Sequence, residues 1–142
     1  MGRKVFEAMT ERPRCVTPQT LVSEAAQLMA AEDVGALPIL DGEQVTGVIT
    51  DRDIVVRAVA KGMDPRGMSV KEVASPEVVT VHADDELASA VEIMATHQVR
   101  RLPVVDDNNS LVGILAQADV ALEGKDKAVG EMVEEISKSP AA

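Results

Sequence analysis

The sequence predicts an α+β fold made of two copies of one strand–helix–strand–strand–helix unit. Residues 35–53 (GALPILDGEQVTGVITDRD) and 100–119 (RRLPVVDDNNSLVGILAQAD) share a Leu-Pro opening, an Asp-led turn, and a Gly followed six residues later by Asp. Pro38 and Pro103 lie 65 positions apart, and the two glycines lie 66 apart because the second turn has one extra residue. The shared register, together with matching helical stripes, indicates an internal repeat.

A helical stripe of apolar residues precedes each copy, with the i, i+3, i+4, i+7 spacing of one helix face. The two stripes are Val22, Ala25, Ala26 and Met29, in a helix covering about 22–32, and Leu87, Ala90, Val91 and Met94. A second helix is expected after each copy, from Asp51 to about Ala60 and from Gln117 to Leu122. In the first of these, one side should carry Ile54, Val55, Ala58 and Val59.

Short strands account for the remaining apolar runs. Cys15-Val16-Thr17 precedes Pro18, and the residue before a proline disfavours the helical region, so this segment should be extended. Residues 78–81 should form its counterpart. Asp41-Gly42 between two apolar runs is a strong hairpin signal, and residues 102–105 and 111–115 predict the second hairpin.

The predicted boundaries place the first repeat at residues 1–62 and the second at 69–124. Residues 63–68 are the linker, in a stretch with two glycines and a proline. Residues 125–142 should form a short amphipathic helix and a frayed tail. A unit of this size buries its apolar faces poorly alone, so the two repeats should pack on each other with pseudo-twofold symmetry.

Composition restricts the function classes. A formal charge of −10 and a single aromatic residue, Phe6, argue against a nucleic-acid partner. Nothing approaches an 18-residue apolar run, so no membrane span is expected. Cys15 is alone, which excludes an intramolecular disulfide and fits a reducing cytoplasm. We therefore expect a cytoplasmic protein.

The repeated order of Leu-Pro, apolar run, Asp-led turn, Gly-led run and Asp resembles the CBS (cystathionine-β-synthase) domain. Two such domains in tandem resemble a Bateman module, and the resemblance covers residues 4–124. The chain is similar to small stand-alone bacterial CBS-pair proteins of the hypoxic-response type. This implies a regulatory homodimer that binds an adenosyl compound (AMP, ADP, ATP or S-adenosylmethionine) in clefts between the repeats.

The resemblance also implies ligand-binding residues. In the family, a hydroxyl residue and an Asp, spaced [ST]-x-x-D, hold ribose and phosphate; a basic residue before Leu-Pro meets phosphate; and the segment before the first long helix lines the base pocket. The matching positions here are Thr50 and Asp53, Asp119 with Ala116 in place of the hydroxyl, Arg100 and Arg101, Val16 and Thr17, and Val81 and His82. The first copy has Gly35 and Ala36 where the second has its arginines.

Each of these residues also has an ordinary structural interpretation. Thr50 and Asp53 form a capping box, which needs no ligand. The arginines suit surface ion pairs in an acidic chain, although adjacent strand residues usually face opposite ways, so at most one should reach a given cleft. His82 and His97 suit solvent exposure, and Cys15 suits a buried strand position.

Two functions remain open at this point. The first is a binding module that senses an adenosyl compound through one good cleft, entered by Thr50 and Asp53, and one degraded cleft. It would need no cofactor or metal, and it would regulate an unidentified protein. The alternative is an interaction scaffold whose degenerate sites bind no nucleotide. No catalytic motif occurs in the sequence, so we do not expect an enzyme.

Overall fold

The computed structural model describes residues 2–75 and 78–123. The amphipathic helix predicted at residues 125–142 lies outside the described residues. Within the described part of the chain, no helix is long and apolar enough to cross a membrane.

Helices and strands alternate as the repeat predicts. The helices are α1 (Val5–Ala8), α2 (Val22–Glu32), α3 (Asp51–Ile54), α4 (Leu87–His97) and α5 (Gln117–Glu123). The strands are β1 (Thr10–Glu11), β2 (Ala36–Asp41), β3 (Gln44–Thr50), β4 (Val81–His82), β5 (Arg101–Val105) and β6 (Leu111–Ala116). A π-helical turn at Val55–Val59 continues α3, and 3₁₀ turns occur at Pro65–Gly67 and Val70–Glu72.

The chain divides into two compact units, and the α+β fold class is confirmed. We call Pro13–Val79 the contiguous unit. The composite unit combines the residues up to Arg12 with those from Thr80 onward. The compact units therefore differ from the repeats in sequence, because residues 2–12 belong in space with the second repeat.

The contiguous unit is built on the β2–β3 hairpin. Ala36 pairs with Thr50 at the open end, and Gly42 adopts a positive φ of 66° in the turn, as the Asp-Gly sequence requires. Val16 forms a parallel bridge with Ile39. The core is entirely apolar and contains Val16, Val22, Ala25, Met29, Leu37, Ile39, Ile49, Ile54, Ala58, Met68, Val70 and Val73.

The composite unit has a four-stranded sheet in the order β1-β6-β5-β4. β5 pairs antiparallel with β6 and parallel with β4, and β1 pairs antiparallel with the other edge of β6. All four members of the α4 apolar stripe are buried, as the spacing predicts. The second hairpin is therefore confirmed, with Asn109 at a positive φ of 63° in its longer turn.

In each unit, equivalent main-chain hydrogen bonds join a short segment to the chain around the start of the long helix. We call these segments, residues 68–70 in the contiguous unit and 3–5 in the composite unit, the leading segments. In the contiguous unit, the Val70 N–H donates to the Thr20 carbonyl at 2.8 Å, and the Val22 N–H donates to the Met68 carbonyl at 2.9 Å. The same bonds recur 65 positions away in the composite unit. They are Val5 N–H to Asp85 carbonyl at 2.9 Å and Leu87 N–H to Arg3 carbonyl at 2.7 Å. Residues 68–70 and 3–5 therefore have equivalent structural roles.

The helix predictions are correct in position and partly wrong in orientation. The 22–32 helix is confirmed, but Ala26 is exposed. After Thr50, Ile54 and Ala58 are buried, whereas Val55 and Val59 are exposed, so the prediction of one shared side is wrong. The apolar stripe on this helix is wider than the face that the core covers.

Two strand-level expectations also need correction. The strand expected at residues 78–81 is shorter, because pairing with β5 begins only at Val81. Cys15 is half-buried instead of buried, and its thiol donates to the Pro13 carbonyl at 3.2 Å. Because Val16 is the residue of this segment that pairs with β2, the neighbouring Cys15 side chain stays partly exposed to water.

The matched strand glycines, Gly47 in β3 and Gly113 in β6, have different surroundings, so we expect a side chain to be tolerated at Gly47 and not at Gly113. A methyl group at Gly113 would lie 2.5 Å from Met9 Sδ and 2.8 Å from the Thr10 carbonyl oxygen. Because backbone occupies that space, Gly113→Ala should lower the free energy of unfolding by about 1–3 kcal/mol, measured by urea denaturation.

Gly47→Ala is the matched control. The added methyl would meet Ile39 Cδ1 at 3.6 Å and the Ser75 carbonyl oxygen at 3.7 Å, which are ordinary contacts. Its stability should stay the same or rise slightly, since glycine weakens a strand interior. Equal losses in the two variants would contradict the close approach of β1 to β6.

Candidate functional site

The candidate site in the contiguous unit lies where β3 passes into α3. We call Ala36, Thr50 and Asp53 the first junction. The Thr50 N–H donates to Asp53 Oδ2 at 3.0 Å, and the Asp53 N–H donates to Thr50 Oγ1 at 3.0 Å. The capping box predicted from the sequence is thus confirmed. The Asp51 N–H also donates to the Gly35 carbonyl at 2.9 Å, which ties the start of α3 to the start of β2.

The composite unit has an equivalent site where β6 passes into α5. We call Arg101, Ala116 and Asp119 the second junction. The Ala116 N–H donates to Asp119 Oδ2 at 3.2 Å, so half of the capping box is kept. The other half is missing because alanine has no hydroxyl. The Gln117 N–H donates to the Arg100 carbonyl at 2.8 Å, repeating the tie between helix and strand.

Both junctions keep hydrogen-bonding groups that the fold does not use. Each Asp carboxylate accepts through Oδ2, and within the described residues no donor reaches Oδ1 of Asp53 or Asp119. Thr50 Oγ1 accepts a bond but has no described acceptor for its own proton. A carboxylate oxygen can accept from two hydroxyls of a diol, and a threonine hydroxyl can donate to a ligand oxygen.

Val16 and Thr17 lie farther along the same sheet. Val16 pairs with Ile39, three residues beyond Ala36 on β2, which is about 10 Å at 3.3 Å per residue. The described hydrogen bonds of Thr17 go to Thr20, whose Oγ1 accepts from the Thr17 N–H at 3.0 Å. The structure therefore does not bring Thr17 into contact with the first junction, and only an extended ligand could reach both.

Val81 and His82 occupy the equivalent place in the composite unit. The His82 N–H donates to Asp85 Oδ2 at 2.9 Å, and the Asp85 N–H donates to the His82 carbonyl at 3.1 Å. The His82 side chain is exposed, as expected. Sequence reasoning missed Thr20 and Asp85 as the residues that hold these two turns. Each lies three residues after the residue whose N–H it accepts, and that common spacing was the available signal.

The two arginines differ in their surroundings. Arg101 is half-buried and pairs with Ala116, whereas Arg100 is exposed and precedes β5. Neither guanidinium forms an ion pair with any residue in the described ranges. The surface ion pairs considered for them from the sequence are therefore not found in this part of the chain.

The other chemically notable groups do not converge on either junction. Burial raises the pKa of the Cys15 thiol, and the charge of Arg14 opposes that increase only partly. A raised pKa leaves less thiolate at neutral pH, which disfavours redox sensing. Among residues 2–75 and 78–123, no three His, Cys, Asp or Glu side chains are grouped so that they could hold a metal ion.

Comparison with known proteins identifies the family. The model of the CBS domain matches residues 5–59 and 70–125, so the chain belongs to the CBS-domain family and carries a tandem pair. It is 43% identical over 118 residues to the CBS domain-containing protein YhcV of Bacillus subtilis, covering 83% of each chain. It is 38% identical over 123 residues to hypoxic response protein 1 of Mycobacterium tuberculosis, covering 86% of this chain and 85% of that one.

Solved structures show the same fold. Hypoxic Response Protein I, crystallised with two coordinated zinc ions, matches with a TM-score of 0.79 at 35% identity, covering 87% of this chain and all of that one. CBSX2 in complex with AMP matches with a TM-score of 0.74 at 29% identity, covering 86% and 96%. The CBS pair of MJ0100, in complex with 5′-methylthioadenosine and S-adenosylmethionine, matches with a TM-score of 0.78 at 25% identity, covering 87% and 96%.

The difference between the capping boxes predicts opposite stability changes. Thr50→Ala should lower the free energy of unfolding by about 1 kcal/mol, because the Asp53 N–H loses its acceptor. Ala116→Thr should raise it by up to a similar amount by supplying the missing acceptor to Asp119. Urea denaturation of both variants, without any ligand, measures the two changes. A fall in both would show that the second junction has no room for a hydroxyl cap.

Proposed function

We propose that this protein is a non-catalytic regulatory module that binds an adenosyl compound at its strand–helix junctions. The ligand would be AMP, ADP, ATP or S-adenosylmethionine, and the module needs no cofactor. The protein acts in the cytoplasm, where these compounds are abundant and a lone cysteine stays reduced.

The observation that carries this proposal is the unused oxygen at each junction. Asp53 and Asp119 hold their helices through Oδ2 and leave Oδ1 available to ribose hydroxyls. The fold fixes both carboxylates in place before a ligand arrives, which lowers the cost of binding. Two related CBS pairs bind AMP or S-adenosylmethionine, which supports the same ligand class here.

Binding would regulate by stabilising one state of the protein over another. Each junction ties the start of a helix to the start of a hairpin, so a ligand held there would act on both elements. The regulated partner is a separate protein, recognised in only one of the two states.

A second candidate function is an interaction scaffold that binds no nucleotide. Ala116 supports it, because the second junction lacks the hydroxyl present at Thr50. The first junction in turn has Ala36 where the second has Arg101, so neither junction carries the full set of polar groups. The scaffold would present its surfaces to a partner without any small-molecule signal.

A thermal-shift panel separates the two functions. The protein is heated with millimolar adenosine, AMP, ADP, ATP, S-adenosylmethionine or NAD, with guanosine as control. A ligand at a hundred times its Kd stabilises the folded state by about 2.7 kcal/mol, which raises Tm measurably. We expect adenosyl compounds to raise Tm and guanosine to have no effect. A panel without any shift favours the scaffold.

Calorimetric titration with adenosine then tests the junctions. Asp53→Asn should weaken adenosine binding about tenfold or more, because a hydrogen bond to a charged carboxylate is lost. Asp119→Asn should weaken it less, since the second junction has no hydroxyl beside its carboxylate. Equal affinities for both variants and the wild type would place the ligand elsewhere.

We also propose that the protein is a homodimer that associates through the helix after the first junction. Val55, Val56 and Val59 are 56%, 43% and 58% exposed on this helix. Neighbouring exposed apolar side chains of this kind usually mark an interaction surface. In a twofold-symmetric dimer this surface of one copy packs against the same surface of the other, so both exposed patches would be covered.

Val59→Lys should shift the protein to the monomer, because it places a charge at the centre of the contact. Sedimentation equilibrium measures the change in mass. Val78→Lys, at another exposed valine in the contiguous unit, is the control and should leave the dimer intact. A monomeric wild type, or dissociation of both variants, would contradict this interface.

A further inference from the structure

Met9 differs from the other methionines that the structure describes, because it combines access to water with a packed position. Its side chain is half-buried. Met63 is 44% exposed, whereas the remaining methionines of the described ranges lie in the core with at most 6% of their surface exposed. These core methionines are Met29, Met68 and Met94. Oxidation of a side chain follows its exposure, so peroxide should reach Met9 and Met63 before the others.

The sulfur of Met9 lies directly against the backbone of β6 at Gly113. A Cβ atom built on Gly113 would be 2.5 Å from Met9 Sδ and 3.0 Å from Met9 Cγ, so these two atoms occupy the space that a side chain would need. The same Cβ would lie 2.8 Å from the Thr10 carbonyl oxygen. Met9 therefore packs on β6 at the place where β1 pairs with it, and the fit depends on the glycine.

Met9 also lies between two sets of main-chain contacts that hold residues 3–11, which we call the N-terminal segment, onto the composite unit. Before it, the Phe6 N–H donates to the Ala83 carbonyl at 3.0 Å. After it, β1 pairs with β6 over a strand of 2 residues. A strand this short contributes few hydrogen bonds, and weakly held elements open before the rest of a fold. A change at Met9 would therefore act on a part of the unit that is easily released.

The equivalent place in the contiguous unit has an alanine. The residue 65 positions after Met9 is Ala74, which is partly buried against the core of that unit. A Cβ built on Gly47, the counterpart of Gly113, would have its nearest described neighbour at 3.6 Å, an ordinary contact. An oxidant of thioethers therefore meets a sulfur at this position in the composite unit and a methyl group in the contiguous unit.

We propose that Met9 is an oxidation site whose sulfoxide releases the N-terminal segment from β6. A lone pair of the sulfur attacks one oxygen of hydrogen peroxide, so that an S–O bond forms as the O–O bond breaks. The proton of the new S–OH group passes to the departing hydroxide, which leaves as water. Sulfur loses two electrons and the peroxide gains them. A methionine sulfoxide reductase reverses the change, with two thiols oxidised to a disulfide and the oxygen released as water.

The sulfoxide does not fit the contact from which it forms. Its oxygen is a hydrogen-bond acceptor placed near another acceptor, the Thr10 carbonyl oxygen, and a buried acceptor without a donor costs free energy. The extra atom also enlarges a side chain that already fills the space over Gly113. Met9 must therefore turn toward water, which pulls β1 from its pairing with Gly113 and Ile114. Ala116 of the second junction follows on the same strand, so release would loosen the sheet beside that junction.

Peptide mass spectrometry after timed exposure of the folded full chain to hydrogen peroxide measures the oxidation rate of each methionine. Met9 and Met63 should be oxidised about tenfold faster than Met29, Met68 and Met94, because a core sulfur reacts only when its unit opens. A rate for Met9 as slow as that of the core methionines would overturn the proposal, since the sulfur would then be out of reach of the oxidant.

Hydrogen exchange detected by mass spectrometry then compares the reduced and the oxidised wild type. Oxidation should speed exchange of the amides in residues 3–11 by about tenfold, since an unsatisfied polar group disfavours the docked segment. Exchange in residues 68–75, where Ala74 replaces the sulfur, should stay the same. Treatment with methionine sulfoxide reductase and dithiothreitol should restore the slow exchange. Oxidation of Met9 without faster exchange in residues 3–11 would show that the sulfoxide is accommodated and the proposal is wrong.

Variants identify the sulfur responsible. Met9→Leu keeps a similar side-chain volume without sulfur, so peroxide should no longer speed exchange in residues 3–11. Met63→Leu removes an exposed sulfur elsewhere and should keep the full response. Cys15→Ser should keep it as well, which separates the thioether from the thiol. A response that survives in Met9→Leu, or that disappears in Met63→Leu or Cys15→Ser, would overturn the assignment to Met9. The comparison of oxidised with reduced wild type holds even if Met9→Leu fails to fold.

Discussion

The geometry of both junctions depends on the register of the strands within each hairpin. In each hairpin the first residue of one strand is opposite the last residue of the other, and in the first hairpin the side chain of that last residue, Thr50, also caps the following helix. A slip of one residue would turn the capping side chain to the other face of the sheet. The main-chain bond from the first helical N–H to the residue before the hairpin closes the same corner. Strand register thus fixes the geometry of the carboxylate.

Much of this arrangement was predictable because it depends on local patterns. The first hairpin follows from an Asp-Gly turn between apolar runs, and the second follows from the matching apolar runs at 102–105 and 111–115. The capping box follows from the three-residue spacing of Thr50 and Asp53. The family assignment follows from repetition, since two imperfect copies in one register are far more specific than either alone. These features need only short stretches of chain, so sequence reasoning reaches them.

The features that were not predicted depend on contacts between distant segments. Nothing in residues 3–5 or 68–70 indicates which repeat they join, because either repeat offers the same carbonyl and N–H partners. Similarly, periodicity places Val55 and Val59 on an apolar stripe but cannot show how wide a face the core covers. That Arg101, and not Arg100, is paired with Ala116 follows from the register of β5 against β6, which spacing alone leaves open to a one-residue shift.

Residues 3–5 join the unit built from the second repeat, and residues 68–70 join the unit built from the first. This crossed arrangement affects the order in which the protein can fold. The contiguous unit consists of one uninterrupted stretch, so it can form as soon as its last residues leave the ribosome, since domains fold during synthesis at about 5–20 residues per second. The composite unit combines residues up to Arg12 with residues from Thr80 onward, so it cannot form until the second of these segments has been made, and it must then close a loop of more than sixty residues. Until then the apolar side chain of Val5 has no core to enter, and the completed contiguous unit tethers the two halves that must find each other.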